Sequence, residues 1–210
     1  APPEAAPAYT PTVSSRADLA AVQNPTTVWS TALPGQPMAA PIVLDDVCLV
    51  ACQVSGRRAQ GAVLCALDLA TGESRWEQRF RDAVVSGMAS LGDDLVLLST
   101  SSLGAQPGQC AVIAVDAGGR IAWRREFDVP RISAPAAGEA FAAVTVDAWR
   151  VAALTRASGE VLVDVTAPVD LAVAAPACDD MGFYLPCRAP CLLAFSLQGD
   201  LRWRYDVEGV

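Results

Sequence analysis

The feature that most constrains the fold is the segment ALDLATGESRW at residues 66–76. It predicts the end of one β-strand, a tight turn and the start of a second strand. Gly72 can adopt the positive φ that such a turn needs, and the side chains of Asp68 and Thr71 can accept hydrogen bonds from nearby turn amides. Trp76 presents a large, flat apolar face that one small sheet cannot bury alone. The segment therefore predicts several small sheets packed side by side.

Three further segments repeat this pattern in a degraded form. They are AVDAGGRIAW at residues 114–123, ALTRASGEVLV at 153–163 and AFSLQGDLRW at 194–203. In the second of these, Val163 takes the place of the tryptophan. The segment TVWSTAL around Trp29 is interpreted as the last strand of an earlier repeat. Successive repeats are spaced by roughly 40 to 47 residues, and short strands at this spacing are typical of β-propeller blades.

Residues 66–76 match the tryptophan-docking pattern Ala-x-Asp-x-x-Thr-Gly-Glu-x-x-Trp at every specified position. The chain thereby resembles the pyrroloquinoline-quinone-like (PQQ-like) β-propeller repeat family over about residues 28–207. The resemblance implies four-stranded blades in which each tryptophan packs against the next blade. It does not imply that the quinone is bound, since most repeats of this type hold no cofactor. The implied blade-docking residues are Ala66, Asp68, Thr71, Gly72 and Trp76, then Ala114, Asp116, Gly119 and Trp123, then Gly159, and finally Ala194, Gly199 and Trp203.

The expected fold class is all-β, a β-propeller of four-stranded antiparallel blades with about four complete blades, partial or open. Residues 1–26 are expected to be a Pro/Ala-rich lead-in or linker, and residues 27–210 the propeller segment. Within each blade the second and third strands are almost continuously apolar, which is typical of strands covered on both faces. The predicted strands are 41–44, 47–52, 63–68 and 75–80; 87–91, 94–100, 111–116 and 121–127; 133–137, 141–146, 150–155 and 161–165; and 172–177, 182–187, 191–196 and 201–207.

The two ends of the predicted arc do not together form one shared blade. A strand of the fourth type stands at Trp29 without three preceding strands, while the blade that holds Trp203 is already complete. The end blades of an open arc expose apolar faces, which an isolated chain rarely tolerates in water. A protein partner, a second copy or a further part of the same polypeptide is therefore expected to cover the end blades.

Composition narrows the classes of partner. The formal net charge is −8 and the isoelectric point is near 4.5, which argues against binding nucleic acid because a phosphate backbone requires clustered Lys and Arg. Hydrophobic residues make up 52% of the chain, but acidic residues interrupt the longest apolar stretches, so no transmembrane segment is predicted.

The chain contains seven cysteines and no histidine. This excludes histidine-containing metal sites, haem attachment through Cys-x-x-Cys-His and a histidine-based catalytic triad. Free buried thiols are favoured, although hairpin geometry leaves open a bridge between Cys52 and Cys65 or between Cys187 and Cys191. A metal site formed by Cys178, Cys187 and Cys191 is disfavoured because it lacks an obvious fourth ligand.

No catalytic, cofactor-binding or metal-binding residue is predicted. The family that the chain resembles is related to quinone-dependent dehydrogenases. The resemblance implies that these enzymes have about eight blades, a calcium site, a catalytic Asp and often a vicinal cysteine pair. This chain has no adjacent cysteines, and its only asparagine is Asn24 in the lead-in. The acidic pairs are interpreted as turn residues, because carboxylates commonly close β-turns. They are Asp45/Asp46, Asp93/Asp94 and Asp179/Asp180.

The expected function is a non-catalytic binding or scaffold module that mediates protein–protein interaction within a larger protein or assembly, with no cofactor. Trp149, beside a tight rim hairpin, is the candidate for contacting a partner. Two alternatives remain: a fragment of a PQQ-dependent quinoprotein dehydrogenase, or a ligand-sensing domain of a bacterial signalling protein. An extracytoplasmic or membrane-associated assembly is favoured over the cytoplasm, since the resemblance includes propellers of bacterial outer-membrane assembly.

Overall fold

The computed structural model describes residues 27–56, 60–103, 110–172 and 174–207. Within these ranges the chain forms β-strands and no helix. The strands assemble into four antiparallel sheets in chain order, each a simple up-and-down meander. The predicted lead-in at residues 1–26 lies outside the described residues.

Each sheet is built from consecutive strands. The first comprises β1 (Gln36–Pro37), β2 (Ile42–Leu44), β3 (Val47–Val54), β4 (Gly61–Asp68) and β5 (Ser74–Arg81), with β1 and β2 paired to the same edge of β3. The second comprises β6 (Ala83–Leu91), β7 (Leu95–Ser102), β8 (Cys110–Asp116) and β9 (Ile121–Phe127). The third comprises β10 (Ala136–Ala137), β11 (Phe141–Val146), β12 (Arg150–Thr155) and β13 (Val161–Thr166). The fourth comprises β14 (Ala177–Asp179), β15 (Gly182–Pro186), β16 (Cys191–Ser196) and β17 (Leu201–Asp206).

The hydrophobic core lies between the sheets. One cluster of buried side chains joins the first and second sheets, another the second and third, and another the third and fourth. The middle strands β4, β8 and β11 are buried along almost their whole length. Neighbouring sheets cover both faces of β8 and β11, whereas one side of the first sheet is covered by Trp29 and Leu33. No core cluster of the described residues joins the fourth sheet to the first. The four sheets therefore form an open arc of propeller blades, which confirms the predicted fold class.

A register irregularity recurs at the same place in every sheet. It lies between the third and fourth strands of each sheet. On the third strand it directly follows the alanine, and on the fourth strand it directly precedes the partner, of the pairs Ala66–Trp76, Ala114–Trp123, Ala153–Val163 and Ala194–Trp203. Such a bulge bends the strand and redirects the side chains beside it. Each tryptophan position is thus set by the same local backbone feature.

The structure corrects the prediction for the segment around Trp29. Residues 27–33 form no strand, so the interpretation of TVWSTAL as a last strand is wrong. The reason is that an extended segment needs a neighbouring strand for its backbone hydrogen bonds, and no earlier sheet is present among the described residues to provide one.

The first strands of the last two sheets are shorter or shifted relative to the prediction. The predicted strand 133–137 is observed only at Ala136–Ala137, and the predicted strand 172–177 is observed at Ala177–Asp179. In both cases the observed strand begins directly after a proline, Pro135 or Pro176. Proline has no backbone N–H to donate to a ladder, so it delays the start of pairing.

Candidate interaction surface

Trp76 joins the first sheet to the second. Its ring lies against Gly119 in the turn between β8 and β9, where a Cβ would come within 2.8 Å of the Trp76 Cδ2 atom. The indole Nε1 donates a hydrogen bond to the carbonyl oxygen of Ala117 at 2.9 Å. Gly119 has a φ of 83°, so glycine is required there both by the backbone and by the ring above it.

Trp123 repeats this arrangement between the second and third sheets. Its side chain is 7% exposed, its ring covers Gly159, and its Nε1 donates to the carbonyl oxygen of Arg156 at 2.7 Å. The Arg156 guanidinium in turn reaches back to form an ion pair with Asp94 of the second sheet. The third and second sheets are therefore linked in both directions.

The third interface uses valine instead of tryptophan. Gly199 in the turn between β16 and β17 faces methyl groups of Val163 and Val165 of the third sheet. Its φ of 89° is again in the left-handed region. The glycine turn is thus kept where the tryptophan is lost.

Trp29 docks on the first sheet from outside any strand. Its ring lies on Gly72, where a Cβ would come within 2.5 Å of the Trp29 Cε3 atom, and its Nε1 donates to the carbonyl oxygen of Leu69 at 2.9 Å. This is the geometry of Trp76 and Trp123, supplied by an irregular segment. We call residues 27–33 the strap. The 47-residue spacing from Trp29 to Trp76 was the sequence signal for this docking role.

The turn that receives Trp29 is built by side-chain hydrogen bonds. The Asp68 carboxylate accepts from the amides of Ala70 and Thr71, and the Thr71 hydroxyl accepts from the amide of Glu73. Arg75 donates to Asp68 and also forms an ion pair with Asp46. The Arg75 guanidinium and the turn amides lower the pKa of Asp68 to about 2. The turn between β8 and β9 is similar, with Arg120 paired to Asp116.

Trp203 occupies the same register in the fourth sheet but has no glycine turn to cover. It pairs with Ala194, as Trp76 pairs with Ala66. Its side chain is nevertheless 42% exposed, and its ring contact is with Tyr184 of its own sheet at a centroid distance of 5.9 Å. Leu201 and Tyr205 are also exposed. We call Leu201, Trp203 and Tyr205 the docking face.

Trp149 lies in the turn between β11 and β12 and is 47% exposed. Its backbone amide donates to the Asp147 carboxylate at 2.7 Å, which fixes the turn. The ring lines a shallow groove together with Pro130, Ile132 and Arg188. Trp149 belongs to the third sheet and Trp203 to the fourth, and no direct contact links the two rings.

The seven cysteines are unbridged in the structure. Cys52 pairs with Val63 and Cys65 pairs with Val50, so the two cysteines are diagonal neighbours in the ladder and not directly opposed. Burial raises the pKa of Cys65 to about 12 and that of Cys178 to about 11. Because the thiolate is the reactive form, such thiols are inert near neutral pH. Among the described residues no cluster of Cys, Asp and Glu could hold a metal ion.

Several carboxylates of the acidic pairs are engaged in local structure. Asp179 accepts from the amides of Met181 and Gly182 and from the Tyr184 hydroxyl. Asp46 and Asp94 are held in ion pairs with arginines, and Asp45 adopts a φ of 52° in its turn. These contacts fix turns and join elements.

Among the described residues, no helix is long and apolar enough to span a membrane.

The sequence matches the family described as outer membrane protein assembly factor BamB, with overlapping matches at residues 9–105 and 59–209. The chain belongs to this family. A search of the curated proteins gives no match. The family assignment agrees with the geometry, since glycine turns covered by tryptophans recur at the repeat spacing found in the sequence.

Solved structures share the fold of this BamB-family chain. BamB from Moraxella catarrhalis is 18% identical with a TM-score of 0.58, and the match covers 88% of this chain and 56% of that one. A protein of unknown function from Bacteroides caccae is 14% identical with a TM-score of 0.55, and the match covers 82% and 61%. The computationally designed Ika4 protein is 12% identical with a TM-score of 0.57, and the match covers 88% and 99%. The present chain therefore spans about half the length of the first two structures.

Proposed function

We propose that this chain is a non-catalytic scaffold module that binds protein through the docking face of the fourth sheet. The observation that carries the proposal is the state of Trp203. It stands in the register at which Trp76 and Trp123 pack on a neighbouring sheet, yet it remains 42% exposed. An exposed set of large apolar side chains on a strand is typical of an interaction site.

The chemistry of the side chains supports binding over catalysis. General acid–base or nucleophilic work requires a carboxylate or thiolate that is free to react. Asp179 and Asp68 are committed to turn amides, and burial keeps the thiol of Cys65 protonated. The docking face itself is apolar and aromatic, which suits a protein partner.

The family description places relatives of this chain in outer-membrane protein assembly. We propose the same setting here, a bacterial assembly outside the cytoplasm, with the partner still to be identified. A module that presents one sheet face to another protein is consistent with this setting.

Photo-crosslinking tests the binding role. A benzoylphenylalanine at position 205, on the docking face, is expected to form adducts with protein in an extract of the host. The matched control is the same probe at position 162, where Leu162 is exposed on β13 of the third sheet. Equal labelling at both positions, or none at position 205, would remove the support for this proposal.

The quinoprotein alternative is tested separately. Titration with pyrroloquinoline quinone and Ca²⁺ is expected to leave the quinone absorption spectrum unchanged. A saturable spectral change at one equivalent of quinone would overturn the non-catalytic assignment.

A further inference from the structure

The open arc carries two complementary ends. At the fourth sheet, Trp203 has no glycine turn to pack on. At the first sheet, the Gly72 turn is covered, among the described residues, only by Trp29 of the strap. We infer that two copies of this chain associate head to tail, with Trp203 of each copy packing on the Gly72 turn of the other in place of Trp29. This inference rests on the proposed function, because it names the first protein that the docking face binds.

The donor half of this contact has the geometry of the sheet interfaces already present in the chain. Trp203 pairs with Ala194 and directly follows a bulge in its strand, as Trp76 and Trp123 do in theirs. Tyr205 stands two residues after its tryptophan, as Gln78 does after Trp76, and Gln78 donates to the carbonyl oxygen of Gly119 at 2.7 Å. The fourth sheet therefore presents the side chains that make this type of interface.

The acceptor half is already formed. Gly72 has a φ of 74°, close to the 83° of Gly119 and the 67° of Gly159, which are both covered by tryptophans. The carbonyl oxygen of Leu69 accepts an indole N–H in the same way as that of Ala117. The Gly72 turn thus accepts an indole ring without any change of its own conformation.

The strap is the part of the first sheet's cover that is most easily displaced. It has no strand hydrogen bonds, and Val28 is 81% exposed. Trp29 and Leu33 pack on a small cluster formed by Val50, Cys52 and Leu67. A segment with so few contacts opens at low cost compared with a sheet. Because the strap is tethered beside Gly72, it competes with Trp203 of the second copy and raises the concentration at which two copies associate.

Two copies are the number that closes the arc. Identical head-to-tail contacts form a ring if the rotation closes and a filament if it does not. The chain has four sheets, and its match covers 56% of BamB from Moraxella catarrhalis. Four sheets are therefore about half of such a propeller, so two copies supply a full turn and bury both ends.

Light scattering coupled to size exclusion tests the inference on the intact chain over a concentration series. The wild type is expected to move with concentration from 21.8 kDa to about twice that mass. Trp203→Ala is expected to remain at 21.8 kDa throughout, and Trp29→Ala to dimerise at a concentration lower by about tenfold, since the competitor is weakened by the loss of one docked ring. Trp149→Ala is the matched control and should follow the wild type.

A second measurement does not depend on these variants. Benzoylphenylalanine at position 203 in the purified chain is expected to give a crosslinked dimer, with the adduct mapped to residues 69–72 of the other copy. A circular dichroism melt checks that each variant is folded. If Trp203→Ala or Trp29→Ala does not fold, the crosslink map alone tests whether Trp203 contacts the Gly72 turn of the other copy.

Three results would overturn the inference. They are a wild-type monomer at every concentration together with a monomeric Trp29→Ala, a Trp203→Ala chain that still dimerises, and assemblies that grow beyond two copies. If position 205 crosslinks to another protein of the extract while the purified chain never crosslinks to itself, the second copy is wrong and the proposed function stands.

Discussion

Replacement of Trp123 by alanine is expected to destabilise the chain by about 3 to 5 kcal/mol, the range typical of large aromatic truncations in cores. The ring is 7% exposed between the second and third sheets. A tryptophan buries roughly 200 Å², which at about 25 cal/mol per Å² gives an upper value of about 5 kcal/mol. The truncation also leaves the carbonyl oxygen of Arg156 without its indole donor. Partial collapse of the two sheets onto the gap brings the loss below the upper value.

Urea unfolding followed by far-UV circular dichroism measures this loss. Trp149→Ala is the control, because that residue is 47% exposed in a turn, so its loss is expected to stay within about 1 kcal/mol. A loss for Trp123→Ala below about 1 kcal/mol, or equal to that of the control, would show that the ring does not hold the two sheets together.

Three further outcomes are expected. Gly119→Ala should destabilise the chain by about 1 to 3 kcal/mol because its φ is 83° and a Cβ would meet an indole ring, whereas Gly118→Ala next to it should be nearly neutral; comparison of the two denaturation midpoints checks this. The pKa of Asp68 is held at about 2, below its ordinary 3.8, by Arg75. The stabilisation from this pair is therefore present above about pH 4 and is lost as the pH falls toward 2, and thermal melts of Asp68→Asn should lack this part of the acid sensitivity. Cys65, with a pKa of about 12, should resist a thiol reagent at pH 7 until the chain is unfolded; rapid labelling of the native chain at that residue would contradict the burial.

The four sheets could be predicted from sequence because their determinants are local. Asp68, Thr71 and Gly72 specify one turn within five residues, and the apolar runs on either side specify the paired strands. The strand around Trp29 was predicted wrongly by the same reasoning. Its composition suits a strand, but a strand also needs a partner, and the sequence does not show whether one is available.

The links between sheets could not be predicted in detail. Arg156 reaches Asp94 across 62 positions of sequence, and Gln53 bonds both the carbonyl oxygen of Ala83 and the amide of Val85 in the next sheet. Among the described residues, neither contact recurs in the other repeats. A residue pair that occurs once and lies far apart in sequence leaves no periodic signal, so only the packed structure reveals it.

The third interface shows why Trp203 points to a partner. Where Val163 replaces tryptophan, large side chains on other strands fill the space between the sheets: Phe141 on one side, and Phe183 stacked on Phe195 at 5.7 Å on the other. A tryptophan at this register is therefore dispensable when the middle strands are bulky. The phenylalanines of the fourth sheet pack toward the third sheet, so they do not cover Trp203, which stays 42% exposed. An exposed indole flanked by Leu201 and Tyr205 favours aggregation if it stays in water. Trp76 and Trp123 are covered by the next sheet of the same chain, whereas the covering of Trp203 requires a surface outside these four sheets.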